Sequence, residues 1–325
     1  MISNNINLAA TILKENGIIG LPTETVYGLA GNIFSEKAIK EIYHIKQRPL
    51  FNPLIVHIKS IAELTKIAVD IPPIAMELAN HFWPGPLTLL LKKNTIVPDL
   101  ITAGKPTVAI RMPNHPTALA LLNILDFPLA APSANPFGMI SPTRAKHVDD
   151  YFKNKIKMVL DGGICQTGIE STIVGFEDNQ VIVYRLGGIS IDEIKTIAND
   201  VKLFNKEDKS PQAPGMLSKH YAPATRLIFT NNVEKCISQF KDKKIGLLLF
   251  CKALNNVPIN CVQQVLSPSR NLKEAASKLY DTMHQLDKMN LEIIIADQFP
   301  EEGLGSVIND KLSRASYIDK YENTD

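Results

Sequence analysis

Residues 87–125 read LTLLLKKNTIVPDLITAGKPTVAIRMPNHPTALALLNIL, and this stretch decides the fold class. Two short apolar runs, Leu87–Leu91 and Val108–Arg111, are separated by lysine, asparagine, proline and glycine, the composition of strands between turns. The apolar residues that follow, Pro116–Leu125, run long enough to read as a helix. Outward from here the same alternation continues. Strands are expected at Ile18–Leu21, Leu54–Ile58, Pro128–Ala131, Met158–Leu160, Thr172–Val174 and Val181–Tyr184. Helices are expected over 3–16, where Ile6, Ala9, Ala10 and Leu13 fall at helical spacing before Gly17, and at Glu36–Gln47, Ile61–Ala68, Pro73–Phe82 and Ile191–Asn199. Short strands interspersed with helices predict a mixed α/β domain over 1–204.

The character changes at 205–224, NKEDKSPQAPGMLSKHYAPA, where charge, prolines and a glycine leave no apolar period. This reads as a linker. A second alternation occupies 225–325. Strands are expected at Arg226–Phe229, Ile245–Phe250, Cys261–Leu266 and Leu291–Ala296, and helices at Val233–Phe240, Leu272–Lys288 and Ser306–Ala315. The pattern predicts a smaller Rossmann-like α/β domain.

The 325 residues suit two domains, and 45% hydrophobic with 21% charged residues is ordinary for a soluble globular chain. Net charge is +2, and residues 1–200 hold 18 basic and 18 acidic side chains. That balance argues against a bulk nucleic-acid binder. The four cysteines, Cys165, Cys236, Cys251 and Cys261, show no C-x-x-C spacing, so neither a disulfide scaffold nor a zinc site is expected. Residues 1–13 are polar and helical in pattern without a signal-peptide core, and no apolar run is long enough for a membrane span. A reducing cytoplasm is the expected compartment.

Nucleotide signatures built on glycine loops are missing, as is any H-E-x-x-H or Cys/His cluster, so no metal site is expected. Other residues must carry the chemistry. Residues 1–200 contain four arginines, Arg48, Arg111, Arg144 and Arg185. Arg48 sits just past a helix before Pro49; Arg111 and Arg185 end strands and precede Met112-Pro113 and Leu186-Gly187-Gly188. One such arginine alone reads as a solvated charge. Three of four at turns and strand ends point to an anion pocket, since the guanidinium fork suits phosphate and carboxylate. The runs APSAN at 131–135 and SPT at 141–143 put small hydroxyls and amides at a strand exit, although they also make ordinary turns. Glu24 and Glu170 stand among hydroxyls in PTETVYGL and GIESTIV, with structural capping an equal alternative. His57 in LIVHI reads by residue type as a core histidine, and Trp83 as core rather than as a ligand contact.

Taken in order, LPTETVYGLAGN, KQRPLFNPLIVHI, WPGPLTLLL, TVAIRMPNHP, LAAPSANPFGMISPT, GIESTIV and YRLGG resemble the YrdC-like threonylcarbamoyl-AMP synthase family. Lys46/Arg48 with Ser133/Asn135 match its KxR…SxN pattern. The segment SPQAPGMLSKHYAP and the unit after it resemble the family's long, two-domain form. The resemblance implies a twisted open mixed sheet with a positively charged cavity. It implies a reaction of L-threonine, bicarbonate and ATP giving threonylcarbamoyl-AMP and pyrophosphate. A partner transferase then moves the group to tRNA beside the anticodon, so tRNA is met indirectly or weakly. By motif match Thr25, His57, Arg111 and Ser171 hold threonine. Arg48, Asn52, Thr107, Ser133, Ser141 and Arg185 hold ATP, with Lys46 and Asn135 completing the phosphate site and Lys46 and Arg48 the expected catalytic pair. His57 thereby changes from core residue to ligand contact. Mg2+ is expected to arrive on the phosphates and keep several waters. No general base is identified by the motifs. The linker, with Ser210, Lys219, His220 and Tyr221, is expected to act as a lid that meets the nucleotide. The alternatives are a cationic module that binds duplex RNA and a carbamoyl-phosphate relative, the latter normally carrying acylphosphatase and zinc-finger parts that this sequence lacks.

Overall fold

The computed structural model describes residues 1–177, 180–204 and 220–316. Among them, 1–137 and 141–204 form one compact unit; 138–140 and 220–316 form another. Most of the expected linker, residues 205–219 with Ser210 and Lys219, lies outside the described residues.

In the first unit eleven strands make one mixed sheet among the described residues. In chain order they are β1 Ile2–Ser3, β2 Ile19–Leu21, β3 Gly28–Asn32, β4 Ile55–His57, β5 Leu87–Lys92, β6 Thr107–Arg111, β7 Leu129–Ala130, β8 Met158–Leu160, β9 Thr172–Glu177, β10 Gln180–Arg185 and β11 Val201–Leu203. Their order across the sheet is β1-β8-β2-β3-β7-β4-β6-β5-β9-β10-β11. Parallel pairs (β4 with β6, β5 with β9) alternate with antiparallel ones (β5 with β6, β9 with β10). The expected strands all appear. The sequence reading omitted β1, β11, the helices Asp99–Thr102 and Ala145–Phe152 and, most consequentially, β3. The run GLAGN looks like a turn because of its glycines, yet it pairs antiparallel with both β2 and β7 at the centre of the sheet. Gly28 is required there: a Cβ would lie 2.9 Å from the Ala131 Cβ.

The alternation within each strand separates two faces. Val56, Leu89, Val108, Ile110, Val174 and Val183 enter the main apolar core, packed with the helices Glu36–Lys46 and Pro73–Phe82. Their neighbours Ile55, Leu90, Ala109 and Ile173 form only a small apolar patch on the opposite face. That second face also carries His57, Thr88, Thr107, Arg111 and Ser171, by the same two-residue alternation. Trp83 is core, with its Nε1–H donated to Leu87 O at 2.7 Å.

The second unit has a four-stranded parallel sheet, β12 Arg226–Thr230, β13 Ile245–Leu249, β14 Cys261–Val265 and β15 Ile293–Asp297, in the order β12-β15-β13-β14. Its helices are Val233–Ser238, Leu272–Asp287 and Gly303–Ala315. The buried runs IGLLL and IIIAD are continuous apolar segments because both faces of a parallel sheet are covered.

Candidate functional site

Backbone hydrogen bonds lace the first unit's loops together on the polar face. Tyr27 N–H donates to Pro142 O at 2.8 Å, Leu29 N–H to Pro132 O at 2.7 Å, and Ala134 N–H to Tyr27 O at 2.7 Å. The PTETVYG loop is therefore held against both APSAN and SPT. Thr167 N–H donates to Glu24 O at 2.7 Å, which ties in the GIEST loop. On the far side Gly188 N–H donates to Glu170 O at 2.8 Å. Gly187 approaches so closely that a Cβ would lie 2.4 Å from Glu170 O, which explains the paired glycines after Arg185.

Register sets the first cluster. His57 and Arg111 are direct partners across β4 and β6. Arg111 is buried, its Nη1 donates to Thr25 Oγ1 at 2.8 Å, and its Nη2 lies 2.5 Å from Glu24 Oε1. Thr23 Oγ1 donates to Val26 O at 2.6 Å and lies 2.8 Å from Thr25 Oγ1. With its one proton committed, Thr23 must accept from Thr25, giving a chain Arg111 to Thr25 to Thr23 to Val26. The Glu24–Arg111 contact is close but misaligned: both Glu24 oxygens and Arg111 Nε and Nη2 are buried without a hydrogen bond. His57 Nδ1 lies 3.2 Å from Ile55 O, and a carbonyl only accepts, so Nδ1 carries the proton. Burial, then the Arg111 charge, pushes the His57 pKa down to about 3. The ring is neutral, with Nε2 as its lone-pair acceptor.

The second cluster joins β5, β9 and β10. Ser171 Oγ lies 2.7 Å from Thr88 Oγ1. Arg185 donates from Nε and Nη2 to Ser171 O at 3.1 and 2.8 Å, and from Nη2 to Ser171 Oγ at 3.0 Å. Ser141 Oγ donates to Glu170 Oε1 at 2.6 Å.

The third cluster follows the helix Glu36–Lys46, which ends where Gln47 turns left-handed at φ 53°. Lys46 is buried and donates from Nζ to Ser133 O and Asn135 O, both at 2.5 Å. Burial, with the Arg48 charge adding, holds its pKa well below the usual lysine value. Arg48 donates from Nε to Asn52 O at 3.0 Å and from Nη2 to Asn52 Oδ1 and Pro53 O at 2.7 Å each. Asn52 Nδ2 is buried without a hydrogen-bond partner. The KxR and SxN residues thus meet across one loop pair. Among the described residues no three His, Cys, Asp or Glu side chains are grouped to hold a metal. The donors gathered here, guanidinium, ammonium, hydroxyl and amide, suit phosphate and carboxylate.

Two family models account for most of the sequence. The model described as telomere recombination, which covers Sua5, YciO and YrdC proteins, matches residues 11–187, and the C-terminal domain of threonylcarbamoyl-AMP synthase matches 189–316. The threonylcarbamoyl-AMP synthase of Pyrococcus abyssi is 37% identical, with 96% of this chain and 94% of that protein covered. That of Bacillus subtilis is also 37% identical, covering 95% and 92%. The chain belongs to the threonylcarbamoyl-AMP synthase family. The crystal structure of P. abyssi Sua5 complexed with L-threonine superimposes with a TM-score of 0.89, over 96% of this chain and 94% of that one.

Within this synthase fold the structure groups Thr25, His57 and Arg111, then Ser171 with Arg185, then Lys46, Arg48, Asn52, Ser133 and Asn135. Thr107 is half-buried at the start of β6, two steps of alternation from Arg111. Ser141 is buried beside Glu170. His220 and Tyr221 belong to the second unit. There their rings meet edge to face at 4.1 Å, Tyr221 stacks on Tyr280 at 5.6 Å, and Lys311 Nζ stands 4.9 Å over the Tyr221 ring. Sequence reasoning missed Thr88 and left Glu24 open. A lone threonine inside LTLLL was the available signal for the first.

Proposed function

We propose that this synthase joins L-threonine, bicarbonate and ATP into threonylcarbamoyl-AMP and pyrophosphate on the polar face of its large sheet. The observation that carries the reading is the burial of Arg111, Arg185, Arg48 and Lys46 on loops and strands laced to one another. Arg111, Thr25 and His57 suit an amino acid: a guanidinium for its carboxylate, and a neutral imidazole and a hydroxyl for its polar atoms. Arg48, Lys46, Asn52, Ser133 and Asn135, with Ser141, Thr107 and Arg185, suit the nucleotide and its phosphates. The threonine amine takes up CO2 to become a carbamate, whose oxygen attacks the α-phosphorus while pyrophosphate leaves. Such a transfer needs alignment and compensation of negative charge more than covalent help. Buried guanidinium groups beside the bound substrates would supply both. Mg2+ would travel on the triphosphate, neutralising part of its charge.

The product would serve a downstream threonylcarbamoyl transferase acting on tRNA, and four unpaired cysteines suit a reducing cytoplasm. We also propose that the linker regulates turnover, so that a His220→Ala, Tyr221→Ala double variant loses synthesis. The function is tested by pyrophosphate release from the full chain. It should require both L-threonine and bicarbonate; release of phosphate, or indifference to threonine, would refute it.

A further inference from the structure

Glu24 is the one charged group at the Arg111 end of the site that the motif reading leaves without a role. Its exposure is 5%, and that of Arg111 is 3%. A buried ion pair offsets its desolvation only when alignment is good and further hydrogen bonds complete the valences. Here Arg111 Nη2 and Glu24 Oε1 touch at 2.5 Å, while Arg111 Nε and Glu24 Oε2 are buried with no hydrogen-bond partner. Such a pair is complementary to a zwitterion. The amino-acid carboxylate matches the guanidinium with its unfilled Nε–H, and the ammonium matches the carboxylate with its unfilled Oε2. The other basic atoms nearby are either committed or made weakly basic by burial. Lys46 donates to two carbonyls, Glu170 accepts from Ser141, and His57 is neutral with its pKa held at about 3. His115 directs Nε2 to Gly162 O at 3.2 Å, which leaves Nδ1 buried without a hydrogen bond, and burial lowers the pKa of the ring, making it a weaker base than an exposed imidazole.

We propose that Glu24 is a catalytic residue, the counter-ion of the threonine ammonium and the acceptor of its protons. The proposal rests on reading this as the threonine site. The ammonium N–H breaks towards Glu24, freeing the amine. Glu24 passes that proton to the hydroxyl of bicarbonate, whose C–O bond breaks to give water and CO2. The amine lone pair forms the C–N bond, and the surplus proton on nitrogen returns to Glu24, leaving the carbamate. In sum, zwitterionic threonine and bicarbonate give carbamate, water and one proton, with no change of oxidation state. Arg111 holds the carboxylate throughout.

The test compares L-threonine with 3-hydroxybutanoate, which keeps the carboxylate and hydroxyl and lacks the amine. Each is titrated calorimetrically into the full chain, with ATP as a control ligand. Wild type should prefer threonine by roughly tenfold or more, and Glu24→Gln should bind the two within about threefold, because only the charge-assisted contact to the amine is lost. ATP affinity should be unchanged, and Glu24→Asp should restore part of the preference. A merely structural glutamate would weaken both acids alike. Glu24→Gln that keeps the full preference overturns the proposal while leaving the threonine reading intact. Should Glu24→Gln also lose ATP binding, the comparison passes to Glu24→Ala, which likewise removes the charge, and an undiminished preference there overturns it. Wild type that binds neither acid refutes the threonine site itself.

Discussion

The two faces of the large sheet use the same strands for opposite ends. On one face Val56, Leu89, Val108 and Ile110 are sealed against helices in an apolar core. On the other, one residue along each strand, His57, Thr88, Ala109 and Arg111 leave only a four-residue apolar patch among buried polar groups. Burying apolar surface contributes about 25 cal/mol per Å2, so the first face favours folding outright. Burying guanidinium and imidazole groups costs stability unless they are paired. The second face keeps charges with incomplete hydrogen bonding, and this is the mark of groups reserved for a ligand.

Substitutions should separate the faces. The largest effect is expected from Arg111→Ala, which strands Glu24 as an unpaired buried charge. Leaving one partner of a buried pair costs about 3–5 kcal/mol, measured by urea unfolding, and threonine binding should vanish in calorimetry. An Arg111→Ala protein as stable as wild type would show that the pair is not buried as described. Next, Leu89→Ala on the apolar face should cost about 2–5 kcal/mol of stability with unchanged turnover per folded molecule. Loss of turnover at full stability would erase the distinction between the faces.

A smaller effect is expected from Arg48→Ala, about 1.5–3 kcal/mol of ATP affinity with threonine affinity kept. Arg185→Ala should also weaken ATP binding. It is the less clean probe, because Arg185 holds both the carbonyl and the hydroxyl of Ser171. Equal losses for both ligands in all three arginine variants would sink the division of labour. The last effect, small at neutral pH and spread over the acid range, concerns pH. His57 has a folded pKa of about 3 against an ordinary value of 6.5. Between these, the unfolded chain binds a proton that the folded chain does not, so stability falls as pH drops from 6.5 towards 3. One such group contributes a slope of roughly 1.4 kcal/mol per pH unit. His57→Gln should flatten the acid limb of the stability curve by one proton; an identical limb would mean that His57 titrates normally.

Much of this was legible in the sequence. Arg48, Arg111 and Arg185 stood out by position, and all three prove buried, while Arg144 is only half-buried. The two inner strands of the second unit, β13 and β15, followed from their apolar runs. The central strand β3 was not legible, because two glycines in GLAGN signal a turn locally, while here Gly28 is demanded by the close approach of Ala131 and Gly31 packs tightly against Ala38, Ile42 and Ile18. Glu24 was visible only as a carboxylate among hydroxyls, since capping and ion pairing leave the same trace in sequence. Its contact with Arg111 spans 87 positions of chain. No local pattern encodes that distance. Thr88 likewise acquires meaning only when β5 and β9 pair in parallel and bring Ser171 to it.

The most direct test of the central claim is to follow the atoms. Purified full-length protein would be incubated with ATP, L-threonine and 13C-labelled bicarbonate, and the products weighed by mass spectrometry. The account predicts an adenylate that carries threonine and one labelled carbon, formed together with one pyrophosphate, and lost in Arg111→Ala. An adenylate without the label, or consumption of ATP to ADP and phosphate, would contradict it.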